Sequence, residues 1–159
     1  MAIVYLGVGS NISPEANIAQ AQQVLKNTFD VLAVSPVYQC PAFGFDGDDF
    51  LNLVVKVETT MLIEDVIQTL RSIEYDFGRP VKSQKYSSRS LDIDLLMYDD
   101  FVGEAAGYKI PRQDVARFDF VLKPLVDIDA DLVHPELKLS MHQLWQRWLS
   151  EQVSHLIEK

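Results

Sequence analysis

The chain has 159 residues, 48% hydrophobic and 23% charged, which is enough for one domain with a proper core over residues 1–159 and short for two. With 23 acidic residues against 14 Lys and Arg, its net charge is −9. That balance disfavours a general nucleic-acid binder, whose affinity rests on many basic contacts to phosphate.

The opening "MAIVYLGVGS" lacks the basic start of a secretion signal. No apolar run approaches the about eighteen residues that span a bilayer. The expectation is a soluble, cytoplasmic protein without membrane contact. "AIVYLGVGS" predicts a short buried strand ending in Gly9, and "SPEANIAQAQQVLKNTF" a helix with Ser13 as N-cap and Pro14 at its first position. "VLAVSPVYQ" predicts a second strand. Cys40, the single cysteine, excludes an internal disulfide and a cysteine-only metal cage, and reads as a small apolar residue.

After the Gly- and Asp-rich "FGFDGDD", the run "FLNLVVKVET" sets Leu51, Leu53, Val55 and Val57 on one face and Phe50, Asn52, Val54 and Lys56 on the other. Both strands fit a sheet covered on one side. "LIEDVIQTLRSIEYDFG" spaces Ile63, Val66, Ile67, Leu70 and Ile73 as a helical stripe stopped by Gly78. A further strand lies in "SSRSLDIDLLMYDD", with Leu91, Ile93, Leu95 and Met97 facing one way and Asp92 and Asp94 the other. One helix near "RQDVARFDFVLKPL" and another at "SMHQLWQRWLSEQVSHLI" complete the chain. The order β-α-β-β-α-β is the ferredoxin-like succession, an α+β fold with an antiparallel sheet, helices on one face and a C-terminal helical extension.

Two carboxylates about 7 Å apart at Cα on one strand face can share one or two hard cations. Unpaired on a largely buried strand they would be costly. Just upstream, residues 71–89 carry Arg71, Arg79, Lys82, Lys85 and Arg89 against Glu74 and Asp76, a local balance of +3 in an acidic chain. Such a segment suits a small polyanion held locally. No G-x-x-x-x-G-K-[ST] loop is present, and "GVGSN" lacks the third glycine of a dinucleotide fingerprint, so side chains must hold any phosphates. Residues 42–49 and 78–90 lack a hydrophobic period and are candidates for a lid.

"YSSRSLDIDLLMYDD", with "YLGVGSNI", "YQCPAFG", "DFLNLVVKVET" and "IEYDFGR" in the same order and approximate spacing, resembles the 6-hydroxymethyl-7,8-dihydropterin pyrophosphokinases of folate biosynthesis. The resemblance implies transfer of the pyrophosphoryl group of ATP to the pterin hydroxymethyl oxygen, with release of AMP. ATP and a dihydropterin would be the partners of a monomer. Asp92 and Asp94 would hold two Mg²⁺ ions and, with Arg79 and Arg89, form the catalytic set. Lys82, Tyr86, Arg71, Glu74, Leu95, Arg112 and Arg117 would fall on the ATP side. The pterin would meet Cys40, Pro41, Phe43, Phe50, Asn52 and Phe120.

Departures cluster on the nucleotide side. Where the family commonly reads Val-Pro-His this chain has "IPR", placing Arg112 at the histidine. The usual Arg-Gly-Phe is "FDF", with Phe118 at the arginine and Arg117 one position early. Ser87-Ser88 stands for Gly-Pro and Tyr86 for a tryptophan. A paralogue that binds a related pterin or nucleotide with weak or no catalysis is the alternative these changes leave open.

Overall fold

The computed structural model describes residues 1–78 and 90–159. Its strands are β1 (Ala2–Ser10), β2 (Asp30–Val34), β3 (Tyr38–Cys40), β4 (Phe50–Thr59), β5 (Asp92–Tyr98), β6 (Gly103–Ala105), β7 (Tyr108–Ile110) and β8 (Ile157–Glu158). Its helices are α1 (Pro14–Thr28), α2 (Ile63–Asp76), α3 (Asp114–Arg117), α4 (Asp119–Asp129) and α5 (Met141–Glu151). The main sheet runs β5-β1-β4-β3-β8, with β2 paired to the other part of β4, and its pairings are antiparallel. This is the α+β, ferredoxin-like arrangement that the element order predicts, with β1 inserted between β4 and β5. No helix among the described residues is long and apolar enough to cross a membrane.

Alternation along the strands decides which layer each residue joins. Val4, Leu6 and Val8 of β1, Leu53, Val55 and Val57 of β4, and Ile93 and Leu95 of β5 pack under α1 and α2. On the opposite face, Tyr5, Val54, Leu96 and Met97 are buried by Val115, Leu122, Leu125, Met141, Leu144 and Trp148 from α3, α4 and α5. The expected one-sided sheet is therefore covered on its second face as well, at one end. Leu122, Leu125 and Met141 are each 0% exposed. Burial of such a side chain is worth about 1.5–3 kcal/mol, which ties the C-terminal helices to the sheet more firmly than surface hydrogen bonds could.

Several local expectations are corrected. "VLAVSPVYQ" is two strands, because Pro36 has no N–H to give to the ladder; Ser35 bridges the break, its N donating to Val54 O at 2.9 Å and its Oγ accepting from Val54 N at 2.8 Å. Met97 does not share the face of Leu95. The β1–β5 register shifts between Tyr5 and Leu6, so Leu96 is an extra residue and Met97 turns to the second face. Ser13 occupies the N-cap position at φ 42°, but its side chain makes no capping bond.

The helix expected near "RQDVARFDFVLKPL" is two, divided where Phe118 is extended (φ −115°, ψ 131°). The last helix stops at Glu151; beyond it the chain extends, and β8 pairs with β3. Ser140 and Gln143 form a reciprocal capping box at the start of α5.

On the second face, Lys56 Nζ lies 2.7 Å from Asp129 Oδ2, which also accepts the Tyr5 hydroxyl. This joins the middle of the sheet to the end of α4. Burial alone would raise the Asp129 carboxyl, but bonds from Lys56 and Tyr5 hold it below its ordinary 3.8. A depressed carboxylate stabilises the fold fully above its unfolded value and loses that contribution as pH falls through the folded one. Asp129→Asn should therefore lower stability by about 1–3 kcal/mol at pH 7, read by thermal melting, with the gap to the parent closing in acid. Equal melting temperatures at pH 7 would show that this clamp contributes nothing.

Candidate active site

Two glycines in β1 prepare the open part of the second sheet face. Gly9 is paired with Asn52 of β4 on one side and Asp92 of β5 on the other; Gly7 is likewise set between Val54 and Asp94. A Cβ on Gly9 would stand 2.6 Å from Asn52 Oδ1, and one on Gly7 would stand 3.3 Å from the Leu96 side chain. Where these side chains are missing, a cavity of about 690 Å³ opens over the strand. Both carboxylates of the D-x-D border it, as the alternation in sequence predicts.

One end of this cavity is aromatic. Phe43, Phe50 and Phe120 line it together with Cys40, Pro41 and Asn52, so the six residues predicted for the heterocycle are gathered in one place. Asn52 donates from Nδ2 to Cys40 Sγ at 3.0 Å, which fixes the amide's orientation beside Gly9. Burial, reinforced by the charge of Asp119, pushes the Cys40 thiol up to about 12, so it stays neutral and is no nucleophile at physiological pH. Phe118 also belongs here, stacked on Phe120 with ring centres 4.9 Å apart.

The other end is charged. Arg112 Nη2 lies 3.8 Å from Asp94 Oδ1 and 4.0 Å from Asp114 Oδ2. Its guanidinium also lies 5.2 Å from the centre of the Tyr108 ring, and that of Arg71 lies 4.8 Å from the same ring. Arg112 thus faces the cavity. Glu74 is 2% exposed and accepts from Ile93 N at 3.0 Å, between the two aspartates, so it braces the strand that carries them. Leu95, predicted beside ATP, borders the cavity while its side chain belongs to the core under α1 and α2. Arg117 lies over the Phe43 and Phe118 rings at 5.8 and 5.1 Å, on the aromatic side. Arg79, Lys82, Tyr86 and Arg89 lie outside the described residues.

Sequence reasoning missed Tyr108, Gly7 and Asp114. Tyr108 follows the Ala106-Gly107 turn of the β6–β7 hairpin, where both residues have positive φ (49° and 84°), and a Gly in a short alternating run was the available signal. Gly7 shares the face of the already noted Gly9 by the same period of two. Asp114 offered no signal beyond its charge.

The site can stack and hydrogen-bond a flat heterocycle at one end and engage an anion through Arg71 and Arg112 at the other, where Asp94 lies 3.8 Å from Arg112 and shares a strand face with Asp92. The sequence model of the 7,8-dihydro-6-hydroxymethylpterin-pyrophosphokinase (HPPK) family matches residues 5–130. A 2-amino-4-hydroxy-6-hydroxymethyldihydropteridine pyrophosphokinase from Aquifex aeolicus is 34% identical over 137 residues, covering 85% of each chain. The protein of the same name from Synechocystis is 34% identical over 87% of this chain and 72% of its own. The folic acid synthesis protein fol1 of Schizosaccharomyces pombe is 36% identical, but this chain spans only 19% of it. Plasmodium falciparum HPPK-DHPS, solved with pteroate, superposes at a TM-score of 0.74 with 12% identity over 94% of this chain and 44% of its own, a likeness of fold alone. By its matched length and by relatives of 34% identity of which it covers 85% and 72%, the chain belongs to the 7,8-dihydro-6-hydroxymethylpterin-pyrophosphokinase family.

Proposed function

We propose that the cavity over β1 holds both substrates of the pyrophosphokinase reaction, the dihydropterin at its aromatic end and the ATP phosphates at its charged end. The observation that carries this placement is the pair Asp92 and Asp94, facing one way from β5 beside the glycine floor. In the reaction the pterin hydroxymethyl oxygen bonds to the β-phosphorus of ATP, and the bond from that phosphorus to the oxygen bridging to the α-phosphate breaks. AMP leaves with the bridging oxygen, and the hydroxyl proton is given up.

The aspartates fit Mg²⁺ by their chemistry: hard oxygen donors, partly exposed, on one strand face. Among the described residues no group of three or more His, Cys, Asp or Glu is placed to hold a metal ion. Mg²⁺ suits such a pair, since it commonly binds through one or two carboxylates and completes its shell with phosphate and water. When bound there it would neutralise charge on the phosphates and on the departing AMP.

Asn52 can give and accept hydrogen bonds at the amide edge of the pterin, because its present partner, the Cys40 sulfur, is a weak acceptor that is readily exchanged. Phe50 and Phe120 supply apolar faces. Arg112 and Arg71 engage the phosphates, and Arg79 and Arg89, with Lys82 and Tyr86, keep the phosphate role that the family resemblance gives them. Glu74 acts through the strand, fixing the spacing of the aspartates by its bond to Ile93 N.

The test is a coupled assay for AMP release from ATP, Mg²⁺ and the dihydropterin. Asp92→Asn or Asp94→Asn should lower kcat by about 10²-fold or more with an unchanged melting temperature, since the amide packs like the acid but is a poor ligand for Mg²⁺. Near-parental turnover of either variant at saturating Mg²⁺ would remove the metal-holding role. Arg112→His should make the KM for ATP pH-dependent between about pH 6 and 8, where a histidine loses its charge and an arginine does not. Affinity would be highest at the acid end and fall as the imidazole deprotonates. A flat profile in the histidine variant would take Arg112 off the phosphates.

A further inference from the structure

The aromatic end of the cavity contains a joint that the substrate-contact assignments leave unused. Phe118 lies in the extended break between α3 and α4, where its backbone is pinned on both sides. Its N donates to Asp114 O at 3.0 Å, and its carbonyl accepts from Val121 N at 3.2 Å and Leu122 N at 3.0 Å. Trp148 of α5 donates from Nε1 to the preceding carbonyl, Arg117 O, at 3.1 Å. From this fixed point the ring reaches two separate walls. It stacks on Phe120 at 4.9 Å with 15° between planes, and meets Phe43 at 4.9 Å and 67°, an edge-to-face contact. The Arg117 guanidinium lies over both the Phe118 and Phe43 rings and covers the joint.

Phe43 is one of the two rings that this joint holds. It belongs to the segment between β3 and β4 that has no regular structure, and it is 43% exposed. Phe120, in the first turn of α4, has one ring face taken by Phe118. A ring stacked on one side has fewer orientations to give up when a flat ligand arrives on the other, and a loop ring held at its edge has fewer still.

We propose that Phe118 is a positioning residue for the pterin: it braces Phe120 and tethers Phe43, so that the slot exists before substrate enters. This rests on the placement of the dihydropterin at the aromatic end. The ring contacts of Phe118 run to Phe43, Phe120 and Arg117, whereas Tyr108 is the ring under Arg71 and Arg112. Its loss therefore falls on recognition of one substrate.

The test separates bracing from simple filling of space. Phe118→Leu keeps apolar bulk but removes the ring, and Phe118→Tyr keeps the ring. The leucine variant should raise the KM for dihydropterin by about five- to tenfold while the KM for ATP moves by less than about twofold, and the tyrosine variant should restore the parental value. An unchanged dihydropterin KM in Phe118→Leu, an equal rise in both KM values, or failure of tyrosine to restore would each overturn the bracing role. Phe120→Leu, measured alongside, tells which idea has failed. If it raises the dihydropterin KM while Phe118→Leu does not, the brace alone is wrong. If neither variant moves that KM, the pterin does not lie at this end.

Discussion

Two missing side chains in the central strand govern the rest of the molecule. β1 is hydrogen-bonded on both edges, so its face can be opened only by removing what projects from it, and Gly7 and Gly9 do this. At Gly9 the space is already taken, since a Cβ there would fall 2.6 Å from Asn52 Oδ1. Four residues earlier on the same face, Tyr5 is 4% exposed beneath the C-terminal helices. A single strand face thus changes from core to cavity floor within a few residues. The change from a large aromatic to hydrogen is the physical cause.

The neighbouring strand β5 has to make the same change and does so differently. Its first residues keep strict alternation, placing Asp92 and Asp94 on the cavity and Ile93 and Leu95 in the core. Then the bulge at Leu96 supplies an extra residue, and Met97 turns toward α4 and α5. Without that insertion Met97 would follow Leu95 into the first core, and the second would lose a residue that is now 2% exposed. The buried Glu74 bond to Ile93 N ties the alternating part, between the two aspartates, to α2. Accuracy at the carboxylates therefore depends on a helix behind the sheet as much as on the strand itself.

These contrasts explain what could be read from the residues. The face shared by Asp92 and Asp94 follows from a local period of two and was legible, as were the helical stripe of α2 and the order of the elements. The turn of Met97 was not, because a bulge depends on the partner strand and leaves no local mark. Pro36 was visible, yet its effect hinged on Ser35 repairing the ladder to Val54 from outside a strand. Phe118 presented itself as a substitution near the phosphates. Only the packed structure shows its ring joined to Phe43 and Phe120, residues brought together by the docking of α4 and the β3–β4 segment. The glycine before Tyr108 was on view, but that this hairpin folds over Arg71 and Arg112 is a tertiary fact.

The way those arginines are held bears on how an acidic chain could receive the anion proposed for this end of the cavity. A guanidinium locked in a tight ion pair has spent much of its field on its partner, and a phosphate must compete with that carboxylate. An aromatic face attracts the cation through its quadrupole but carries no net charge to cancel it. Arg71 and Arg112 are both held at the cavity over the Tyr108 ring. Arg112 has in addition looser contacts to Asp94, at 3.8 Å, and Asp114, at 4.0 Å. A cation placed on the Asp94 carboxylate would weaken its pull on the guanidinium, which could then turn to phosphate. The two ends of the cavity follow one rule: an aromatic ring fixes position without deciding charge, under the arginines and in the Phe43–Phe118–Phe120 cluster alike.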